Sequence, residues 1–391
     1  MTPLTVRWHQ SIREIPEEHW QALVGEQAIP FYRWGWLDAL ERSRSIVPEQ
    51  GWQPFHLALW RDDIPVAVAP LYLKGHSYGE FVFDQSFARL AADLGMRYYP
   101  KLLGMSPVSP VLGYRFHVRD GEDGGQLTAE LLRAIDAFCA QHRILSCNFL
   151  YVDSEWQPLA EAAGCAAWLN QQSLWRRGGA CSFDDYLRGF NANQRRNIKR
   201  ERKAVQKAGL SITALTGDQL DLQLMQQMHA FYEQHCARWG AWGSKYLEEA
   251  FFEALADAYR DQVVLFSAHR GDPREPVAMS MCVQDGQRLW GRYWGSKEEI
   301  DCLHFEVCYY APIEWAIRRG IDSFDPGAGG SHKRRRGFVA KPCASLHRWY
   351  EPQMDALIRA WLPHVNRLTL QEIEAINADL PFKADAPELS L

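Results

Sequence analysis

Two stretches of the chain carry the same pattern of apolar and polar positions. Residues 55–73 read FHLALWRDDIPVAVAPLYL and residues 263–283 read VVLFSAHRGDPREPVAMSMCV. Each is an apolar run, a polar turn holding Arg and Asp, and a Pro-Val-Ala step into a second run. Arg61, Asp63, Pro65, Val66 and Ala67 answer to Arg270, Asp272, Pro276, Val277 and Ala278. Apolar runs about such turns predict β-hairpins. After the first hairpin the pattern predicts a strand over 113–118, a glycine-rich turn, a helix over 127–142 with Leu131, Leu132, Ile135 and Phe138 at helical spacing, and a strand over 144–152. After the second it predicts a strand over 289–294, a helix over 304–319 and a strand over 321–324. Hairpin, strand, helix, strand thus occurs twice, about half the chain apart, and implies an internal duplication. Pro312 falls inside the second helix and predicts a kink or restart. Between the copies, Leu222, Met225, His229, Tyr232 and Cys236 share one helix face, which makes His229 a packed residue rather than a ligand. Residues 353–391 read as one or two short helices and an acidic, frayed tail.

Composition narrows the class. The 391 residues suffice for two or three domains, and 47% hydrophobic with 23% charged residues is an ordinary globular balance. Aromatic residues, at 13%, are numerous: much of that belongs to the core, and a pocket or groove is a second place for the remainder. The net charge of −5 means that any contact with an anion must come from a local patch. The nine cysteines form no Cys-x-x-Cys pair, so they read as buried thiols of a reducing compartment, and no metal site is expected. No apolar signal region opens the chain, and its longest apolar candidate, 64–73, is broken by Pro65 and Pro70. The expectation is a cytoplasmic protein without a membrane span, with peripheral membrane contact left open.

Three segments carry candidate chemistry. In 195–207, RRNIKRERKAVQK, the cations Arg195, Arg196, Lys199, Arg200, Arg202, Lys203 and Lys207 stand against Glu201 alone. On a helix they gather in a stripe of roughly 160°, with Ile198, Val205 and Ala208 opposite. The stripe is either a solvated face or an anion-binding helix for the phosphates of a nucleotide, a tRNA or a lipid headgroup. Its apolar side is too thin for an autonomous lipid anchor. In 324–338, FDPGAGGSHKRRRGF, Gly327, Gly329 and Gly330 precede His332, Lys333, Arg334, Arg335 and Arg336. That is an anion nest at a strand end or a flexible basic loop, and it is not a phosphate-binding P-loop. In 290–310, Arg292 and Trp294 share one strand face, and His304 and Glu306 open the next helix, where either could be a general base or a structural residue. His-Glu-x-x-His, Gly-x-Ser-x-Gly, Gly-x-Gly-x-x-Gly and the kinase set are all absent. This argues against metal hydrolysis, serine hydrolysis and dinucleotide redox chemistry.

The segments YYPKLLGMSPVSPVLGYRF, RRNIKRERK, GRYWGSKEEIDCLHFEVCYYAPIEWAIRRG and FDPGAGGSHKRRRGF resemble the bacterial FemAB-like, peptidoglycan-biosynthesis-like family of the GNAT acyltransferases. The resemblance runs from about Phe55 to Tyr350. It implies an α/β (α+β) fold of two tandem GNAT-like domains, each a mixed twisted sheet flanked by helices. The expected boundaries are 1–175 for the first, 176–352 for the second with the basic helix 195–208, and 353–391 for terminal helices and tail. It also implies a transferase that passes an acyl or aminoacyl group from an anionic donor, aminoacyl-tRNA or acyl-CoA, to an amine acceptor such as a cell-wall precursor. No tightly bound cofactor is expected. Acyl-CoA members carry a glycine-patterned pyrophosphate loop after the central strand. Here that stretch is Gly295-Ser296-Lys297-Glu298-Glu299-Ile300-Asp301, with three carboxylates, which disfavours CoA at the usual place. The expected catalytic residues are His304, Glu306 and Asp325. The expected substrate contacts are Arg195, Arg196, Lys199, Lys203, Arg292, Trp294, Tyr309, Gly327, Gly330, His332, Lys333 and Arg336. Two alternatives stay open: an acyl-CoA N-acyltransferase with an unusual CoA site, and a non-catalytic binder of an anionic partner.

Overall fold

Both hairpins form as the pattern predicts. They are found in a computed structural model that describes residues 3–26, 28–238 and 245–383. The chain divides into two units: Met1–Asn170 with Pro342–Gln371, and Gln171–Lys341 with Glu372–Leu391.

The first unit holds strands β1 (Leu4–His9), β2 (Trp52–Pro54), β3 (His56–Arg61), β4 (Ile64–Ala69), β5 (Tyr72–Lys74), β6 (Lys101–Gly104), β7 (His117–Val118) and β8 (Ser146–Phe149). Its helices are α1 (Glu17–Val24), α2 (Trp34–Arg42), α3 (Gln85–Asp93), α4 (Gly124–His142) and α5 (Gln157–Ala162). The hairpin β3–β4 is flanked by β1 and β7, all antiparallel. The chain then runs from β4 into β5, which lies between β2 and β6. β6 pairs with β8 in parallel.

Next come β9 (Ala166–Arg176), α6 (Phe183–Arg188), α7 (Ala192–Lys207), β10 (Ser211–Thr216), α8 (Leu222–Ala237) and α9 (Glu249–Ala258). They are followed by β11 (Val263–His269), β12 (Ala278–Asp285), β13 (Arg288–Ser296) and a helical segment. That segment is α10 (Leu303–Phe305), a π-turn over Glu306–Tyr310 and α11 (Ala311–Arg319). β14 (Ser323–Asp325), β15 (Val339–Trp349) and α12 (Pro352–Ala378) complete the fold. In the second unit β10 to β13 form an antiparallel run, β13 pairs with β14 in parallel, and β14 pairs with β9 antiparallel. Each half thus has a hairpin followed by a parallel strand pair with a helix between its strands. In the first half, however, β5 and α3 come between hairpin and pair, β7 returns to pair with β4, and the hairpin lies in a different sheet from β6 and β8. The core of the second unit packs Trp175, Phe190, Ile198 and Val205 from one side with Phe266, Val307, Ile313 and Phe324.

The observed units differ from the expected boundaries for a topological reason. β9, at the end of the first copy, pairs its Trp175 and Arg176 with β14 of the second unit. β15, at the end of the second copy, pairs Leu346–Trp349 with β8 of the first. Each half thus contributes its last strand to the other half's sheet, and no single cut in the sequence separates the units. The 353–391 segment also differs from expectation: 352–378 is one helix of 27 residues with Pro363 inside it, and the tail 384–391 lies outside the described residues. Pro312 sits in the first turn of α11, directly after the π-turn, and the Val307 carbonyl five residues before it accepts from the Ser280 hydroxyl at 2.7 Å.

Candidate active site

The site grows out of a strand divergence. β13 and β14 pair over three residues only, Arg288↔Ser323 to Trp290↔Asp325. β13 then continues to Ser296 while β14 ends, so its edge from Gly291 onward parts from its neighbour. A β-bulge opposite Met281 and Cys282 leaves Arg292 of β13 without a partner on β12 and bends β13 at this point. Glycine permits the close packing here. A Cβ at Gly295 would stand 2.1 Å from the Phe231 carbonyl oxygen of α8, and one at Gly291 3.1 Å from the Phe324 ring. The opening is a cavity of about 370 Å³, walled by β12 and β13, α8, the α10 segment and the glycine loop after β14.

Aromatic and imidazole rings line it. Trp294 packs against His304 at 4.5 Å between ring centroids and against His235 at 5.1 Å. His304 also faces Tyr309 at 5.4 Å and His332 at 5.5 Å. The Tyr309 hydroxyl and His332 Nε2 are hydrogen-bonded at 2.9 Å. Burial pushes His304 down to about 3, helped by the positive groups around it, His332 and Arg336 among them. Burial and the neighbouring Arg336 and Lys333 push His332 down to about 4. Burial also lowers His235 and raises Tyr309. At neutral pH the wall is therefore three uncharged imidazoles beside a protonated phenol. The ring nitrogens of His304 bond to no described residue, so a neutral base faces the cavity with its lone pair available.

The remaining predicted residues divide between wall and scaffold. Arg292, Trp294, Tyr309, Gly330, His332 and Lys333 line the cavity with His304. Asp325 and Gly327 stand behind it. Asp325 accepts from Arg292 Nη2 at 3.2 Å, Gln172 Nε2 at 3.2 Å and the Gly327 N–H at 2.7 Å, which fixes the start of the glycine loop. Lys333 is buried, donates to the carbonyls of Gly327 at 2.6 Å and Ala328 at 3.1 Å, and is pushed down to about 8 by burial. It clasps the loop from within. Arg336, 1% exposed, donates to Glu201 at 2.7 Å and to the His332 carbonyl at 2.9 Å, and its guanidinium lies 3.5 Å over the Phe305 ring. Its donors are directed at α7 and the loop.

Glu306 requires a correction. It does not line the cavity. It is buried, accepts from Arg202 Nε and Nη2 at 2.9–3.1 Å, and Arg202 reaches on to Glu314 at 2.6 Å. The π-turn that begins at Glu306 turns this carboxylate towards α7, away from His304. Helix α7 forms as predicted, capped by the Asn191 side chain on the Gln194 N–H. It packs against the loop through Gln194, which donates to the Arg335 carbonyl, and through the Glu201–Arg336 pair. Arg196, Lys199, Arg200 and Lys203 are exposed, and Arg195 donates to the Phe190 carbonyl. None of these cations lines the cavity. The residues that sequence reasoning missed are Ser280, Cys282, Cys308 and His235. Ser280 and Cys282 alternate along β12 as a two-residue period would have it, but nothing in the sequence marks which face of β12 meets the cavity or the bulge at Arg292 of β13 beside it. The described residues contain no group of His, Cys, Asp and Glu that could hold a metal ion, and no helix long and apolar enough to cross a membrane.

Two units of mixed sheet, each with one parallel strand pair and flanking helices, define a tandem GNAT-like architecture. The family model for FemAB-like proteins, described as peptidoglycan biosynthesis/recognition, matches residues 11–384, and the chain belongs to that family. Among solved structures it is similar to FemX, with a TM-score of 0.51 and 12% identity over 91% of this chain and 100% of that one. It is also similar to the C-terminal domain of a putative lysylphosphatidylglycerol synthetase from Agrobacterium fabrum, with a TM-score of 0.53 and 10% identity over 90% of this chain and 96% of that one. At such identities the likeness is one of fold. No curated protein matches the chain.

Proposed function

We propose that this chain transfers an aminoacyl group from an anionic donor to an amine, with the reaction in the cavity where β13 and β14 part. The observation that carries this reading is His304: a neutral imidazole, without a hydrogen bond to any described residue, on the wall of that cavity. An amine attacking an activated carbonyl must lose a proton as the bond forms. His304 is a weak base in the resting cavity, and the negative charge that develops on the carbonyl oxygen during attack is what raises its basicity enough to take that proton. The hydrogen-bonded Tyr309 and His332 close the opposite side and supply a phenol or imidazole N–H to the carbonyl oxygen as charge develops there. Trp294 and Tyr309 keep the centre dry. The acceptor class, an amine of a cell-wall precursor, follows from the family description.

Aminoacyl-tRNA is preferred to acyl-CoA as donor on two grounds. The stretch after β13 presents exposed Glu298, Glu299 and Asp301, with Glu298 held by Arg270, and this repels a pyrophosphate. The exposed face of α7, with Arg196, Lys199, Arg200 and Lys203, suits an extended phosphate backbone. The test is single-turnover transfer from a pool of aminoacylated tRNA, and separately from acetyl-CoA, to a muramyl pentapeptide. His304→Gln should abolish transfer from charged tRNA while tRNA retention on a filter is unchanged. Transfer from acetyl-CoA alone would move the donor assignment to CoA. Retention without transfer in the unaltered protein would make it a binder.

A further inference from the structure

A second cavity, of about 380 Å³, lies in the same unit and shares no lining residue with the reaction cavity. It is bounded by the end of β9, the turn after it, α6 and a C-terminal strap. The strap is tied down by backbone bonds: the Asn191 N–H donates to the Pro381 carbonyl at 3.0 Å, and the Lys383 N–H to the Gly189 carbonyl at 2.9 Å. Phe382 packs on Phe190 at 5.0 Å, so the strap forms a fixed wall.

Four cations and one carboxylate line this space. Arg177 is neutralised by Asp322, at 2.7 Å from Nη2, and Arg188 is paired with Asp185. The Arg176 guanidinium and the Lys383 ammonium, both exposed, have no hydrogen bond or ion pair with any described residue. Lys341 adds to the imbalance: burial and the nearby Arg176 both disfavour its charge. The turn contributes donors as well. Gly178 and Gly179 both have positive φ, 57° and 81°, and their N–H groups donate to no described residue. The rest of the lining is apolar: Trp175, the Tyr186 ring and Phe382. Arg176 and Lys383 are exposed and hydrated, so an anion here exchanges their hydration for charge-assisted bonds at the mouth of an apolar cavity.

We propose that this cavity binds a phosphorylated ligand, with its phosphate held by Arg176, Lys383 and the Gly178–Gly179 amides and its apolar or ring-bearing body against Trp175 and Phe382. The volume is of the size that takes a small ligand of this kind, at the lower end of the usual range of about 300–1,000 Å³. Binding here is separate from the transfer reaction proposed above and does not depend on it.

The test is calorimetric titration of the full chain at low salt with inorganic pyrophosphate and with ADP. Both should bind saturably, ADP several-fold more tightly because its ring meets the apolar wall. Arg176→Ala with Lys383→Ala should weaken both by about ten-fold or more, the loss expected for charge-assisted bonds. Neither side chain has an internal partner, so the melting temperature of the double variant should match that of the unaltered chain. Arg176→Lys with Lys383→Arg should retain most of the affinity. Absence of saturable binding, or affinity unchanged in the double alanine variant, overturns the site. ADP binding no tighter than pyrophosphate overturns the assignment of the apolar wall.

Discussion

Replacing Arg336 with alanine separates two roles for the basic loop. Arg336 reads from the sequence as a ligand for an anionic substrate, yet its side chain is 2% exposed and bound to Glu201, whose own side chain is 17% exposed. Removal leaves Glu201 with only the Tyr310 hydroxyl as partner, opens a space under Phe305 and frees the His332 carbonyl. Breaking a buried ion pair from one side costs about 3–5 kcal/mol. The partial exposure of Glu201 places this one near the lower end, about 3 kcal/mol, or roughly 6–12 °C of melting temperature for a unit of this size. The measurement is denaturant unfolding of Arg336→Ala, Glu201→Gln and the double variant, with Arg335→Ala, a neighbouring exposed arginine, as the control. The cycle should return a coupling of about 2 kcal/mol between Arg336 and Glu201, and the control should stay within about 0.5 kcal/mol. A loss under about 1 kcal/mol for Arg336→Ala, with no coupling to Glu201, would refute the view that this arginine holds the loop to α7.

Gly295→Ala should lower stability by about 3 kcal/mol or more, because the new methyl meets the fixed Phe231 carbonyl and not a flexible side chain; a change below about 1 kcal/mol in urea unfolding would mean α8 shifts freely. His304, pushed down to about 3, stays uncharged above about pH 5, so the rate of transfer should show no inflection near 6.5 from this residue; one that appears there and vanishes in His304→Gln contradicts the assignment. Lys74 is wholly buried over the Trp52 ring and is pushed down to about 7 by burial, with Lys101 adding to the effect and Glu80 and Asp84 opposing it. The unfolded chain therefore binds more protons than the folded one between about pH 7 and the usual lysine value of 10.5, so this group's contribution to stability rises with pH across that window. Lys74→Met should accordingly raise the unfolding midpoint more at pH 7 than at pH 10, and the opposite order would show that the ammonium is stabilised in place.

How much was legible in the sequence depended on where the deciding contact lies. Both hairpins, α4, α7, α8 and the strand–helix–strand run after β12 follow from local periodicity and turn residues, which is why their positions agree with the pattern. The exchange of β9 and β15 between the units is a pairing of distant strands, and no local signal in 166–176 or 339–349 says which sheet each joins. The same limit governs the site. His304, Trp294, Tyr309 and His332 were visible as ring-bearing residues near a strand end. Glu306 differs from His304 by two positions, and the carboxylate faces α7, where it meets Arg202 from more than a hundred residues away, a contact no local pattern encodes. The charge run 195–207 concealed a division of labour: Glu201 and Arg202 serve the interior, whereas Arg196, Lys199, Arg200 and Lys203 face solvent. A count of charges cannot separate these two sets, but the helical phase of Ile198 and Val205 partly does.

The duplication also explains why the reaction is placed in one half only. In the first unit β6 and β8 pair in parallel over three residues, as β13 and β14 do in the second, so the same parting of strands is built into the chain twice. After Gly104, however, residues 105–111 are buried throughout, and Tyr114 returns to bridge Val152. The Tyr114 ring fills the position beside Gly104 so closely that a Cβ there would lie 2.2 Å from its hydroxyl, which itself donates to the Pro70 carbonyl at 3.0 Å. Phe116, Phe149 and Trp156 pack around it. In the second unit the corresponding edge of β13 places Trp294 on the cavity wall and Arg292 on Asp325 beside it, and the chain after it turns away through an acidic stretch to the α10 segment. One copy has spent its strand divergence on core packing. The other keeps it as the cavity that holds His304.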